Sequence, residues 1–205
     1  MAQVDKKSYS LRGYSQPERW VSYGSQLRTA LDLEPESVLE VGVGDKVFGS
    51  YIKNNTNISY KSVDIALDLA PDIVGDVLKL PCADRSFDVV CAFEVLEHVP
   101  FADLDRALGE LDRVSRRHAV ISLPHFGPPV RFLLKLPFLP YFRLAFKLPY
   151  PKEHAFNGQH YWEMGKRGYP ARKVREIIRR HFQIRREFVP FGSPYHHFFV
   201  LDKRS

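Results

Sequence analysis

The run Phe87–Phe93, F-D-V-V-C-A-F, is apolar at almost every position. A strand with that pattern has no face to give to water, so it belongs inside a parallel sheet covered on both sides. Ser37–Val43 is a second short apolar run, and it ends in glycines. Ser59–Ile65 and Ile73–Val77 read as two further strands, and Ala119–Leu123 as a fifth, stopped by Pro124. Helical spacing appears between them. Trp20, Val21, Tyr23, Leu27 and Leu31 predict a helix over Pro17–Leu33, with proline in its first turn. Leu104, Leu108 and Leu111 share one face of a helix over Phe101–Arg116. Strands alternating with helices predict an α/β domain. Only eight residues separate Asp64 from Ile73, too few for a helical crossover, so a loop or single turn is expected there.

The end of the chain is different in kind. Ala171–His181 reads as a helix after Pro170. Phe182–Phe191 and His196–Lys203 then read as two strands joined at Gly192-Ser193-Pro194, an antiparallel hairpin added to the sheet edge. Between the fifth strand and that helix lies His125–Trp162, whose 38 residues hold ten aromatics and six prolines. Proline at this density forbids one long helix, and aromatics at this density do not belong in a solvated loop. Arg131 and Lys135 are four apart, as are Arg143 and Lys147, with Phe132, Leu133, Leu136, Phe142 and Phe146 around them. That spacing predicts two short amphipathic helices broken by Pro137 and Pro140. The expectation is an aromatic and proline-rich lid over the sheet's C-terminal edge, where open α/β sheets take ligands.

Composition limits the function classes. A chain with 44% hydrophobic and 26% charged residues is not disordered in bulk. No apolar run is long enough to span a membrane, and the polar start lacks a leader's apolar stretch. The two cysteines, Cys82 and Cys91, exclude a disulfide scaffold and suit a reducing compartment, so a cytoplasmic protein is expected. The net charge of +6 is concentrated at the end, where Lys166–Ser205 hold eleven basic against three acidic side chains. Such a face could meet nucleic acid, a phosphate or an anionic membrane, and a solvated helix face explains it as well.

The chemistry is most concentrated at Val38–Asp45, V-L-E-V-G-V-G-D. A strand running into glycines lets a ligand approach the backbone, with the N–H groups of a following helix facing it. Asp64 lies 20 residues past Gly44, at the end of the second strand, where a carboxylate can accept from two ribose hydroxyls. The dinucleotide pattern G-x-G-x-x-G is incomplete, because Val47 holds its third glycine position. Gly75–Pro81, G-D-V-L-K-L-P, and Ser86–Pro100, S-F-D-V-V-C-A-F-E-V-L-E-H-V-P, then follow in order.

From about Ser37 to Leu123 this succession resembles the class I S-adenosylmethionine-dependent methyltransferases, in particular those that methylate small molecules such as quinones. The resemblance implies a Rossmann-like, doubly wound, seven-stranded sheet, mostly parallel, with one antiparallel strand in its edge hairpin. It implies S-adenosylmethionine as cofactor. Residue by residue it implies that Glu40 supports the cofactor's amino group through the glycine loop, and that Gly42 and Gly44 underlie the methionine part. Asp64 would hold the ribose with Ile65 against the adenine. Asp76 would accept from the adenine amine with Val77 beside it, and Phe93 and Glu94 would flank the methyl donor. Lys46 stands where the family usually has glycine.

The acceptor is less constrained. His125 directly follows the fifth strand at the expected pocket mouth and is the candidate general base; His154, His160 and Tyr161 are the alternatives. Glu97, His98, His154 and His160 could in principle ligate a metal. Neither H-x-x-x-H nor H-E-x-x-H occurs, so no metal is expected. The expected function is methyl transfer to an oxygen or nitrogen of a small organic acceptor, a sugar, lipid-linked or aromatic metabolite, with peripheral membrane contact through the lid. A nucleic-acid methyltransferase using the basic end is the alternative, as is a non-catalytic cofactor-binding module. The absence of an N-P-P-Y type signature at the fourth strand weighs against nucleic acid. The chain divides into a helical cap (1–36), a cofactor-binding core (37–124), the lid insertion (125–165) and the C-terminal helix and hairpin (166–205), all in one domain.

Overall fold

The structure, a computed structural model, describes Lys7, Tyr9, residues 13–150 and residues 152–204. The expected N-terminal cap at 1–6, 8 and 10–12, Pro151 of the expected lid and Ser205 of the C-terminal segment lie outside the described residues. The elements are α1 (Pro17–Leu31), β1 (Ser37–Val41), α2 (Val47–Asn55), β2 (Ser59–Asp64), β3 (Ile73–Val74) and β4 (Phe87–Phe93). Then come α3 (Leu104–Val114), β5 (Ser115–Pro124), β6 (Pro129–Leu134), β7 (Phe142–Lys147), α4 (Ala171–His181), β8 (Phe182–Phe188) and β9 (His196–Lys203). Seven strands form one sheet in the order β3-β2-β1-β4-β5-β9-β8, and β6 pairs with β7 separately. β9 runs antiparallel to both β5 and β8, and the other pairings of the large sheet are parallel. This is the Rossmann-like sheet expected, with the hairpin at its edge. The link from β2 to β3 holds a single 3-10 turn at Leu67–Leu69.

Alternation along the central strands sorts the core into two layers. Val38, Val89, Cys91 and Val120 pack with Ala30 of α1 and with Phe48 and Ile52 of α2. Leu39, Val41, Val90, Ala92, Ala119 and Ile121 point the other way, into Leu104, Leu108 and Leu111 of α3 and Val174 and Ile178 of α4. This double covering is why β4 has almost no polar position. α3 is shorter than its spacing suggests. Its first turn is 3-10 (Phe101–Asp103), and Ser115 and Arg116 already belong to β5.

The segment expected as two amphipathic helices is a β-hairpin. Pro137 and Pro140 both fall in its turn, leaving six residues on each side. Six residues give fewer than two helical turns, which do not hold alone in water. Paired across the turn, the arms satisfy their backbones and set Phe132 opposite Leu144 and Leu134 opposite Phe142. The hairpin stands off the body with Phe132, Leu133, Phe138, Tyr141, Phe142 and Leu144 exposed. Among the described residues, no helix is long and apolar enough to cross a membrane.

One buried carboxylate pins the start of the sheet. Asp88 on β4 accepts from the backbone N–H groups of Glu36 and Ser37, from the Ser37 hydroxyl and from Arg116. Burial alone would raise its pKa, but these bonds outweigh burial and hold it below the usual carboxylate value. The folded pKa is thus depressed, so the stabilisation is complete above the unfolded value of about 3.9 and is lost as pH falls below it. Asp88→Ala is expected to cost about 1–3 kcal/mol in urea unfolding at pH 7, because it leaves the Glu36 and Ser37 N–H groups without their acceptor and removes the partner of the half-exposed Arg116. The gap between variant and wild type should narrow as pH drops below about 4.

Candidate active site

A cavity of about 280 Å3 opens at the C-terminal ends of β1, β2 and β4. Its wall includes Gly42, Gly44, Asp64, Ile65, Asp76, Val77, Phe93 and Glu94, eight of the nine residues expected to hold the cofactor. Glu40 is the ninth, and it does not line the cavity. Its side chain lies behind the wall, buried, with one oxygen accepting from the Tyr60 hydroxyl and facing Gly49 of α2. Burial pushes its carboxyl up to about 8, against the lowering effect of the Tyr60 bond.

The glycine turn is built by close approach. Gly42 has φ +81°, and a Cβ there would stand 2.4 Å from Val95 Cγ2. Its N–H donates to Val63 O at 2.8 Å, which draws the turn against β2. Asp64 continues that join, accepting from Val43 N and Ala66 N, each at 2.8 Å. Each of its oxygens keeps a second lone pair for a ligand. Lys46 takes a left-handed backbone at φ +65°, the conformation glycine adopts without strain, and its ammonium donates to Ala70 O at 3.1 Å. Asp76 accepts from Leu78 N, which shapes the turn under Val77. Phe93 meets Phe48 edge-to-face, 5.2 Å between ring centres.

Just past β4 stand two acids, Glu94 partly buried at the cavity and Glu97 fully buried. Glu94 sits at φ +54° and accepts from the Ser122 hydroxyl at 2.8 Å. Burial raises its pKa above the usual carboxylate range, opposed by that bond. Glu97 is wholly buried in the 3-10 turn Leu96–His98, and burial with the neighbouring Glu94 charge raises it strongly. His98 reaches the cavity wall, and burial with the neighbouring His160 draws its pKa down to about 4. Sequence reasoning missed Tyr9 and Tyr14 as wall residues; of the wall residues His98 and Tyr161, it offered Tyr161 as an alternative base and His98 only as a possible metal ligand. Tyr9 and Tyr14 meet edge-to-face at 4.8 Å, and burial pushes the Tyr14 phenol up to about 12. The segment carrying these two tyrosines has no periodicity that would have marked them.

His125 is placed differently from expectation. It does not line the cavity. Its Nδ1 lies 2.8 Å from His197 Nδ1, His197 Nε2 lies 2.6 Å from Glu187, and Glu187 is gripped by Arg175. Burial, with the neighbouring His197, draws the His125 pKa down to about 3, so at neutral pH it is a weak base facing the wrong group. His154 is also occupied: Nε2 donates to His160 O, and Nδ1 accepts from Lys166. His160 instead lies beside His98, their rings edge-to-face at 5.1 Å.

These residues suit a ligand that joins an adenosine to a cation. Two carboxylates, Asp64 and Asp76, line one cavity together with apolar Ile65 and Val77 and with Phe93 and Glu94, and acidic and aromatic groups of this kind are complementary to a cation. Residues 39–123, about two-fifths of the chain, match the family model described as a methyltransferase domain. No curated protein matches the chain in sequence. Among solved structures, the N-methyltransferase NodS from Bradyrhizobium japonicum, in complex with S-adenosylhomocysteine, aligns with TM-score 0.64 and 11% identity over 99% of this chain and 95% of that one. The 1,6-didemethyltoxoflavin-N1-methyltransferase of Burkholderia thailandensis, with its substrate and S-adenosylhomocysteine bound, aligns with TM-score 0.64 and 15% identity over 97% and 85%. Magnesium protoporphyrin IX methyltransferase from Synechocystis, also with S-adenosylhomocysteine, aligns with TM-score 0.61 and 13% identity over 100% and 90%.

The fold is thus that of the class I S-adenosylmethionine-dependent methyltransferases. Residues 39–123 of this chain match the methyltransferase-domain model, and the solved methyltransferases that share its fold were crystallised with S-adenosylhomocysteine.

The glycine turn gives a direct test of the wall. Gly42→Ala forces a Cβ into Val95 at a left-handed φ. It is expected to lower stability by about 1–3 kcal/mol in urea unfolding and to weaken S-adenosylhomocysteine binding at least tenfold by titration calorimetry. An unchanged midpoint and unchanged affinity would remove the turn from the site.

Proposed function

We propose that the chain transfers a methyl group to an oxygen or nitrogen of a small, largely apolar organic acceptor, a sugar, lipid-linked or aromatic metabolite, in the cytoplasm. The gathering of eight expected cofactor residues around one cavity carries this reading. S-adenosylmethionine, when bound, supplies a sulfonium methyl carbon open to in-line attack. The protein's part is to bind, orient and exclude water. In this reading Asp64 takes the ribose hydroxyls and Asp76 the adenine amine, with Ile65 and Val77 on the ring faces. Gly42 and Gly44 let the methionine part lie against backbone, and Glu40 stiffens the turn from behind. Phe93 and Glu94 face the positive charge. His125 is not carried forward as the base, since it lies off the cavity and is held by His197.

The basic end does not support a nucleic-acid substrate. Seven of its eleven cations are already paired: Lys166 with Glu163, Arg167 with Glu153, Arg172 with Glu176, Arg175 with Glu187, Arg180 with Asp105, Arg185 with Asp202 and Lys203 with Asp112. Most of that charge is spent on the protein's own carboxylates. The β6–β7 hairpin is the opposite case. Residues 125–152 carry no acidic residue, and its exposed apolar side chains stand beside Arg131, Lys135, Arg143 and Lys147. Apolar residues with unbalanced cations suit an anionic lipid surface, from which a lipid-linked acceptor could be drawn.

Two measurements test the reading. Titration with S-adenosylhomocysteine should show one site, and Asp64→Ala should weaken it by about 1.5–3 kcal/mol, the cost of a charge-assisted bond. No heat from folded protein would sink the cofactor assignment. Cosedimentation with vesicles should be stronger with phosphatidylglycerol than with phosphatidylcholine alone, and Phe138→Asp together with Phe142→Asp should release the protein. Equal sedimentation of both vesicle types, or none, would reject the membrane contact.

A further inference from the structure

The Glu97 carboxylate is completely buried, and neither of its oxygens has a hydrogen-bond partner among the described residues. A buried carboxyl left so is costly as an anion unless a cation meets it, and burial holds it towards the protonated form when none does. Two imidazoles are aimed at it. His98 Nε2 lies 4.0 Å and His160 Nε2 3.9 Å from Glu97 Oε1, too far for hydrogen bonds and close enough for an ion between them.

The far side of each ring is oriented. His98 Nδ1 lies 3.1 Å from Gln159 O, and since a carbonyl only accepts, Nδ1 carries the proton. A neutral imidazole protonated there presents Nε2 as an acceptor. His160 Nδ1 lies 3.3 Å from Glu163 Oε1, and Lys166 holds the other oxygen of Glu163 at 3.1 Å. A backbone carbonyl behind one histidine and a carboxylate behind the other are the outer partners that ligating imidazoles take. The two segments are also locked together. Tyr161 N donates to Glu97 O at 2.9 Å, and the buried Trp162 indole donates to Leu96 O and Val99 O, each at 3.2 Å.

We propose that Glu97, His98 and His160 form a divalent transition-metal site whose open positions face the cavity and take hydroxyl oxygen from the methyl acceptor. The three donor atoms lie within 4.8 Å of one another. Side-chain movements of about an ångström bring each to about 2.1 Å from one ion. Two imidazoles and one carboxylate suit zinc, manganese, iron(II), cobalt or nickel, and not magnesium or calcium, which prefer oxygen alone. His98 and the neighbouring Tyr161 are cavity-wall residues, which sets the open side of the site towards the space beside the methyl donor. A metal there acidifies a bound hydroxyl, the proton-removing role that His125, held by His197 off the cavity, does not fill. The choice of acceptor rests on the methyltransferase reading above and narrows it. The acceptor atom is oxygen, and a pair of adjacent hydroxyls, which chelates through two open positions, is the favoured class.

The test uses the full-length protein stripped of metal with a chelator and titrated with cobalt(II). One equivalent should be taken up with visible d–d absorption, and zinc should displace it. His160→Ala should weaken uptake at least 100-fold, and Glu97→Gln should do the same. Glu163→Gln, which touches no metal, should weaken it about 10–100-fold. S-adenosylhomocysteine affinity should stay within twofold in His160→Ala, which shows that the variant is folded. Adding catechol to the cobalt-loaded protein should shift the absorption bands. Absence of uptake by protein that binds S-adenosylhomocysteine overturns the site, as does uptake unchanged in both His160→Ala and Glu97→Gln. An unchanged spectrum with catechol overturns the hydroxyl assignment. Cobalt uptake without S-adenosylhomocysteine binding sinks the methyltransferase reading and leaves the metal site standing.

Discussion

The placing of β1 between β2 and β4 governs everything at the functional end. Val41, at the end of β1, sits opposite Val63 on one side and Ala92 on the other. Beyond that row the chain leaves in two directions. From β1 it turns through Gly42 into α2 on one face; from β4 it turns through Leu96–His98 into α3 on the other. Neighbouring parallel strands whose connections depart to opposite faces leave a crevice between them, and an open α/β sheet takes its ligand there. The cavity is that crevice. Its depth depends on the Gly42 backbone passing beneath Val95, where no side chain fits.

The electrostatics follow from the same crowding. Glu40 and Glu97 are buried and Glu94 is partly buried near the ends of β1 and β4, and desolvation raises all three. Each is handled differently. Tyr60 donates to Glu40, Ser122 donates to Glu94, and Glu97 accepts from no described residue. Three acids held this way, one in the cavity wall and two behind it, favour a nearby cation, which would draw their raised pKa values down. A sulfonium beside Glu94 and a metal ion beside Glu97 would each do this, in adjoining parts of one space.

Much of this was legible in the chain. Phe87–Phe93 and Ala171–His181 form their elements to the residue, because one is buried on both faces and the other opens after a proline and carries its apolar residues on one stripe. Asp64 and Asp76 reach the cavity because Asp64 is the last residue of β2 and Asp76 lies two residues past β3, so the sheet places them. The hairpin was not legible. Arg131 and Lys135 have helical spacing, but each arm was too short to use it, and pairing across the turn decided the outcome. His125 was misjudged for a related reason. Position after a strand brings a residue to the right edge, but the imidazole turned to His197 on the neighbouring β9, a partner the local sequence does not reveal.

Local order in the sequence determined the strand and helix alternation, the glycine turn and the carboxylates at strand ends, since each depends on residues a few positions apart. Only the tertiary structure decided which histidines meet which acids. His98 and His160 are 62 positions apart and no spacing rule links them. They face one carboxylate because Trp162 buries its indole against the turn holding Glu97, and burial of a large aromatic with both its hydrogen bonds made is strong enough to fix the segment that carries His160.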